Sequence, residues 1–371
     1  MLLWAAAALF LVLAVLRALQ TGSIPFDLRI YREAAHSFLE GAPVYHRGFG
    51  DSALPFTYPP FALLPLLPLA MVPERVASWA WFLLTLGSIV ASVAICLRAT
   101  GLATTPARVA AIAAAAAVVL QPYRSTLELG QINLVLLALV LTDAFVVPRR
   151  SRGWLIGAAG AIKLTPLVFL AWLLAIRDRR SAVRGVAAFG MCTAVAWVVL
   201  PSASLSYWTK ELFDPGRMGP VGDVLNQSWN GVIFRLVGQG AAARGLWIVV
   251  AGASLLVGFA AARRLAADGL ELASLSAMAI AGLLASPVSW PHHWVWILPA
   301  VVAGWAARRD RRGLWHATVA LGVLASLSPW RMADTPVLRD AFVVAGAWWL
   351  LAALRAGRGA HTPAGTVADT A

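Results

Sequence analysis

Apolar runs long enough to cross a bilayer follow one another along almost the whole chain, and each is closed by a short polar stretch. A crossing helix needs about 20 such residues to match about 30 Å of hydrocarbon. In lipid the backbone must satisfy its own hydrogen bonds, so these runs read as helices. Spans are expected near 2–19, 76–98, 107–121, 131–148, 183–200, 244–262, 270–286, 293–307, 313–328 and 338–355. Composition agrees: the chain is 60% hydrophobic and only 13% charged, against about 25% charged in soluble domains. The expected fold class is an all-α, polytopic integral membrane protein. One membrane-embedded domain is expected over 1–356, with a polar, disordered tail from Gly357 to Ala371.

A formal charge of +13 raises the possibility of a nucleic-acid partner, but the cations form no patch or stripe. They sit in short clusters between apolar runs, as the positive-inside rule requires, and this excludes nucleic acid in favour of a lipid bilayer. Nearly all are arginine; the only lysines are Lys163 and Lys210. Cys96 and Cys192 lie within apolar runs and read as small core residues. Residues Leu2–Leu16 lack a basic leader and ALQTGS is a poor cleavage site, so a retained first helix is expected. The start is abrupt, as in a chain that lacks a few of its first residues.

The stretch Gly153–Ile176 decides the topology. Arg149, Arg150 and Arg152 precede it, and Arg177, Arg179, Arg180 and Arg184 follow it. One crossing would leave one cluster outside. Two half-helices meeting near Lys163, the second started by Pro166, keep both clusters in the cytoplasm. The loops at 21–75, 122–130, 201–243, 287–292 and 329–337 then face outward.

The first of these loops holds Asp27, Glu33 and Asp51 together with Arg29, Arg32, His36, His46 and Arg47. Within it, Leu28, Tyr31, Ala35, Phe38 and Leu39 form one stripe of a helix lying along the interface. Asp27 opens that helix, as an N-cap or as a reactive carboxylate. FALLPLLPLAMVP then reads as a second helix lying on the membrane or dipping into it.

Other polar residues interrupt the apolar pattern. Lys163 is costly within a span and marks a functional site, unless it pairs with Asp143. Gln131 and Asn133 either cap a helix or join neighbours by hydrogen bonds. Asn226, Gln227, Ser228 and Trp229 suit a polar helix start. In SPVSWPHHWVW, His292 and His293 donate to a phosphate or sugar, or belong with Trp290 to an interfacial belt. Adjacent histidines point apart, so no metal site is expected from them.

The motifs FDLRIYREAA, GAPVYH, FTYPPFALL, ELGQINLVLLALVLTD, AIKLTPLVFL, NQSWNGVIFRL and SPVSWPHHWVW, in this order, resemble glycosyltransferase family 87. Its members are polyprenol-phosphate-mannose-dependent α-1,2-mannosyltransferases of actinobacterial envelopes. The resemblance implies the GT-C multi-helix fold, an active site at the outer face, and a catalytic aspartate in the first outer loop, matched by Asp27. It also implies a lipid-linked donor, a glycolipid or glycan acceptor, and no nucleotide sugar or cofactor.

The expected reaction is an inverting transfer of mannose from polyprenyl phosphate. Asp27 takes the acceptor proton, and Lys163, His292, His293 and Arg124 stabilise the departing phosphate. Tyr58, Gln131, Asn133, Asn226, Gln227, Trp229 and Trp290 are candidates for sugar or acceptor contacts. A transferase for another polyprenyl-linked sugar, or a non-catalytic binder or flippase of the same lipid, would share most of these features.

Overall fold

The computed structural model describes residues 24–328 and 335–357. The first expected span, 2–19, lies outside the described residues, as does the tail beyond Gly357. The chain is an all-α polytopic membrane protein. Its helices are α1 (Phe26–Leu39), α2 (Leu63–Ala70), α3 (Glu74–Ala99), α4 (Pro106–Val119), α5 (Gln121–Leu129) and α6 (Asn133–Phe145). There follow α7 (Trp154–Ile162), α8 (Val168–Ala175), α9 (Arg179–Val199), α10 (Pro201–Thr209), α11 (Trp229–Val237) and α12 (Ala241–Ala267). The last are α13 (Glu271–Ala285), α14 (Ile297–Ala306), α15 (Arg312–Ser326), α16 (Pro336–Arg339) and α17 (Ala341–Ala356). A two-residue antiparallel ribbon, Gly48–Phe49 with Leu54–Pro55, lies in the first loop.

Each span expected after residue 70 coincides with one helix, but the helices differ in reach. Among the described residues, α3, α9 and α12 are long and apolar enough to cross a membrane. A fourth arises if α4 and α5, bent by 79°, count as one broken span. Helices such as α6 and α13, of 13 and 15 residues, extend about 20 Å, and their side chains are largely buried by neighbouring helices. α9 and α12 expose Val183, Val186, Val198, Ile248, Val249 and Leu256, the faces that lipid covers.

The two ends of the segment 153–176 lie together. α7 stops at Lys163, whose backbone is extended (φ −148°, ψ 134°), and a 3₁₀ turn at Thr165–Leu167 leads into α8. Halves of nine and eight residues reach about 13 Å each, less than half a bilayer. Their outer ends meet. Gly153 (φ 106°) packs so closely on the Ser181 carbonyl that a Cβ would collide with it. Arg184 donates to the carbonyls of Arg149 and Arg152 at 2.6 and 2.8 Å, and Arg152 lies 3.7 Å from Asp178. Both basic clusters therefore share one end, and Lys163 marks the tip of the hairpin at the other.

α1 buries Leu28, Ile30, Tyr31, Ala34 and Ala35. Leu39, expected on the apolar stripe, is instead exposed, because the helix ends there and Gly41 turns the chain at φ 70°. α2 packs on α1. Arg32 closes its C-terminal end by donating to the carbonyls of Leu69 (3.0 Å) and Val72 (2.6 Å), which a helix end leaves without internal donors.

Candidate active site

Five stretches far apart in sequence meet around one polar cluster: the start of α1, the loop before α2, the α5–α6 junction, the hairpin tip, and the 3₁₀ segment Pro291–Trp296. Pro25 occupies the N-cap position of α1, so Asp27 is not the cap; it stands inside the first turn. There the positive end of the helix favours a carboxylate. Tyr31 lies one turn on and therefore on the same face.

Gly130 joins α1 to the α5–α6 junction. It ends α5 in the left-handed conformation (φ 72°, ψ 34°), and a Cβ there would strike Pro25 and Leu28. Only glycine satisfies both demands without strain. Trp81 donates to its carbonyl at 2.8 Å. The next residue, Gln131, is thereby held beside Asp27.

The Gln131 amide is oriented by its partners. Its Oε1 accepts from the hydroxyls of Tyr31 and Tyr58, each at 3.0 Å, and those hydroxyls are 2.8 Å apart. The amide nitrogen is left to serve Asp27, to which the Gln131 side chain hydrogen-bonds. Burial pushes the Asp27 carboxyl up to about 6, against the opposing pull of the Gln131 bond and the Lys163 charge. A half-buried carboxylate with that affinity for protons suits a general base near neutral pH.

Lys163, buried at the hairpin tip, donates to Asn133 Oδ1 at 2.8 Å and to His293 Nε2 at 3.2 Å. Its ammonium lies 5.2 Å from the centre of the Tyr58 ring. An ammonium has three donors, and these bonds use two. Asn133 is fixed in turn, because its amide nitrogen donates to the His292 carbonyl at 2.9 Å. His293 also bonds the Val288 backbone, which leaves Nε2 to accept from Lys163. The ring of His292 stands edge-on to that of His293 at 4.8 Å, and its buried Nε2 has no partner.

The alternative in which Lys163 pairs with Asp143 is overturned. Asp143 instead accepts from the backbone of Gly153 (2.7 Å) and Leu155 (3.2 Å) and so caps α7. Gln131 and Asn133 join elements rather than cap α6, whose N-cap is Ile132. Arg124 is held elsewhere, its guanidinium donating to the carbonyls of Val118 and Ser326.

Asn226 and Gln227 are fully buried. Asn226 bonds Val221, Pro287 and Ser289, and Gln227 bonds Val224, Arg339 and Phe342. They brace the loop that leads to the histidines, and Ser228 caps α11. Trp229 donates to Ser254, and Trp290 packs over Gly219. Tyr31 is the contributor that motif reading passed over; its place four residues after Asp27 was the available signal.

Asn133 and His293 form the polar end of a cavity of about 390 Å³. The rest of its wall is mostly apolar, from Leu136, Leu164, Phe169, Leu283 and Trp296 among others, with Thr165, Ser286 and Ser289 as its further polar members. Among the described residues no three of His, Cys, Asp and Glu gather into a metal-binding group.

The family description "Glycosyltransferase family 87" matches residues 56–289. The chain belongs to glycosyltransferase family 87. The matched interval takes in Tyr58, Gln131, Asn133 and Lys163, while Asp27 and the histidine pair flank it. Among its relatives is a polyprenol-phosphate-mannose-dependent alpha-(1-2)-phosphatidylinositol mannoside mannosyltransferase of Mycobacterium tuberculosis. It is 35% identical over 357 residues, covering 88% of this chain and 81% of its own. A protein of the same description from Mycolicibacterium smegmatis is 35% identical over 339 residues, covering 83% and 76%. An alpha-(1->3)-arabinofuranosyltransferase of Corynebacterium glutamicum is 30% identical over 230 residues, covering 60% and 52%. No solved structure matches the chain.

Proposed function

We propose that this family 87 member transfers mannose from polyprenyl-phosphate mannose to a hydroxyl of a phosphatidylinositol mannoside, at the outer face of the membrane. The observation that carries the reading is the meeting of Asp27 with Lys163, whose partners Asn133 and His293 line a mostly apolar cavity. The names of the relatives supply the donor and acceptor.

In this reading the prenyl chain lies along the cavity and its phosphate meets the free donor of Lys163. The acceptor hydroxyl attacks C1 of the mannose as Asp27 takes its proton. The C1–O bond to phosphate breaks, and the phosphate gains a negative charge that Lys163, held by His293 and with His292 Nε2 as a further donor, stabilises. No proton donor is needed on that side, since phosphate is a good leaving group. Attack opposite the leaving group inverts C1.

The positive-inside rule supports the sidedness in this reading: with both basic clusters at a cytoplasmic hairpin root, Lys163 at the tip, about 13 Å inward, opens toward the outer side. The experiment is incubation of membranes containing the protein with radiolabelled polyprenyl-phosphate mannose and phosphatidylinositol mannosides. Labelled, elongated glycolipid is expected, and its absence with active control membranes would refute the proposal. The arabinofuranosyltransferase relative favours one second reading, a different polyprenyl-linked sugar, which the same assay with a pentose donor tests.

A further inference from the structure

A second polar cavity lies between residues 46–55 and 210–217, and the transfer step above makes no use of it. It encloses about 440 Å³, and its polar lining includes His46, Arg47, Lys210, Glu211, Asp214 and Arg217. The floor is built rather than incidental. Glu211 is buried, pairs with Arg217 at 2.6 Å, accepts from Ser206 at 3.1 Å and lies 3.2 Å from His46 Nε2. Arg217 also donates to the Phe56 carbonyl at 3.1 Å and sits 5.4 Å over the Tyr45 ring. His46 holds a left-handed backbone (φ 67°), an unfavourable state for a side chain of this size that the bonds of its ring help to maintain.

The basin carries one positive charge in excess, since Arg47, Lys210 and Arg217 face Glu211 and Asp214. Glu211 pairs with Arg217, and Asp214 accepts from the Gly216 backbone at 3.1 Å. Arg47 and Lys210 have no carboxylate partner among the described residues, and both are exposed along the cavity. Arg47 is nevertheless held in place, donating to Ser37 at 2.7 Å and lying 5.2 Å over Phe49. A neutral sugar needs no such surplus of cations; a phosphate group does.

The basin is one aromatic wall away from Asp27. Tyr45 donates to the Tyr58 carbonyl at 2.7 Å, the rings of Phe56 and Tyr58 are 5.7 Å apart, and the Tyr58 hydroxyl bonds Gln131. One molecule carrying a phosphodiester and, a few sugar lengths on, a reactive hydroxyl would span both places. We propose that the basin holds the phosphodiester of an anionic glycolipid acceptor while its sugar reaches Asp27. The inference rests on the transfer reading for the identity of the acceptor.

The test measures binding apart from turnover. Short-chain phosphatidylinositol and an uncharged short-chain glyceryl mannoside are titrated calorimetrically in neutral detergent into wild type, Asp27→Asn, and a variant with both Arg47→Met and Lys210→Met. Both methionines replace exposed residues, so folding is expected to hold. Phosphatidylinositol should bind wild type and Asp27→Asn alike, and the double variant about tenfold more weakly for each cation lost. Binding of the uncharged mannoside should not change. An equal loss on both lipids, no loss on either, or wild-type binding that ignores the phosphodiester would overturn the proposal. Inorganic phosphate binding as tightly as the lipid would also overturn it, by revealing a site for free anions. Selective lipid binding without any mannose transfer would leave the subsite standing and refute the reaction instead.

Discussion

Replacing Asp27 by Asn separates what the carboxylate does from what it costs. Asn keeps the size and an oxygen that can still accept from Gln131, but it cannot take a proton. A general base contributes about 10²- to 10⁴-fold, so mannose transfer should fall by that factor. Stability should move the other way. The unfolded carboxyl ionises near its ordinary 3.8 and the folded one near 6. Between those values the folded state binds more protons, so stability falls as pH rises, and the deficit is complete above about 6. At about 1.4 kcal/mol per pH unit the rise corresponds to at most about 3 kcal/mol, less where water reaches the carboxylate. Asn escapes that cost. The variant should match wild type below pH 4 and unfold at a higher temperature at pH 7.5, as read by thermal unfolding in detergent. Near-normal transfer, or a variant less stable at pH 7.5, would refute the reasoning. It would also return attention to Glu33 and Asp51, which here accept from the Gly50 backbone and pair with Arg29.

The same ionisation sets the pH profile: kcat/KM should fall about tenfold per pH unit below about 6, and Gln131→Glu, by adding a second carboxylate, should move that limb to higher pH. Lys163→Met should raise the KM for the lipid-phosphate donor by about 10- to 100-fold, the worth of a charge-assisted hydrogen bond, with little change for the acceptor; an unchanged donor KM would make Lys163 structural. His293→Ala removes one partner of Lys163 and His292→Ala a ring whose Nε2 has no hydrogen-bond partner, so the two should differ in donor KM, and equal, mild effects would favour an interfacial belt. Cysteines placed as Arg150→Cys and Arg180→Cys should both resist impermeant thiol reagents added outside; labelling of Arg180→Cys alone would mean that 153–176 crosses the membrane once.

Hydropathy and arginine clusters made the helices legible, because both are local properties that lipid enforces residue by residue. The break at Lys163 was legible for a similar reason, because a cation beside Pro166 interrupts the short apolar segment between two basic flanks. Helix length was less so. A run such as 131–148 carries enough apolar residues to cross, yet the helix begins at Asn133 and ends at Phe145. At its start Gly130 must turn left-handed against α1, and at its end Asp143 is drawn into capping α7. These are tertiary demands with no local signature.

The site divides along the same line. An ionisable residue in an apolar stretch announces itself, as Lys163 does, whereas Asp27 lies in a polar loop among other charges and only the family resemblance picked it out. What a polar residue does with its hydrogen bonds depends on partners that the chain brings from afar. Asn133 meets Lys163 across 30 residues and the His292 carbonyl across 159, whereas Asn226 and Gln227, equally conspicuous, spend theirs on a loop. Gln131 illustrates the point most fully. Its sequence position permits a sugar contact, a cap or a helix tie; two tyrosine hydroxyls on its oxygen leave the nitrogen for Asp27. The role therefore follows from the direction of one amide, and that direction is set by Tyr31 and Tyr58, neither of them a neighbour in the chain.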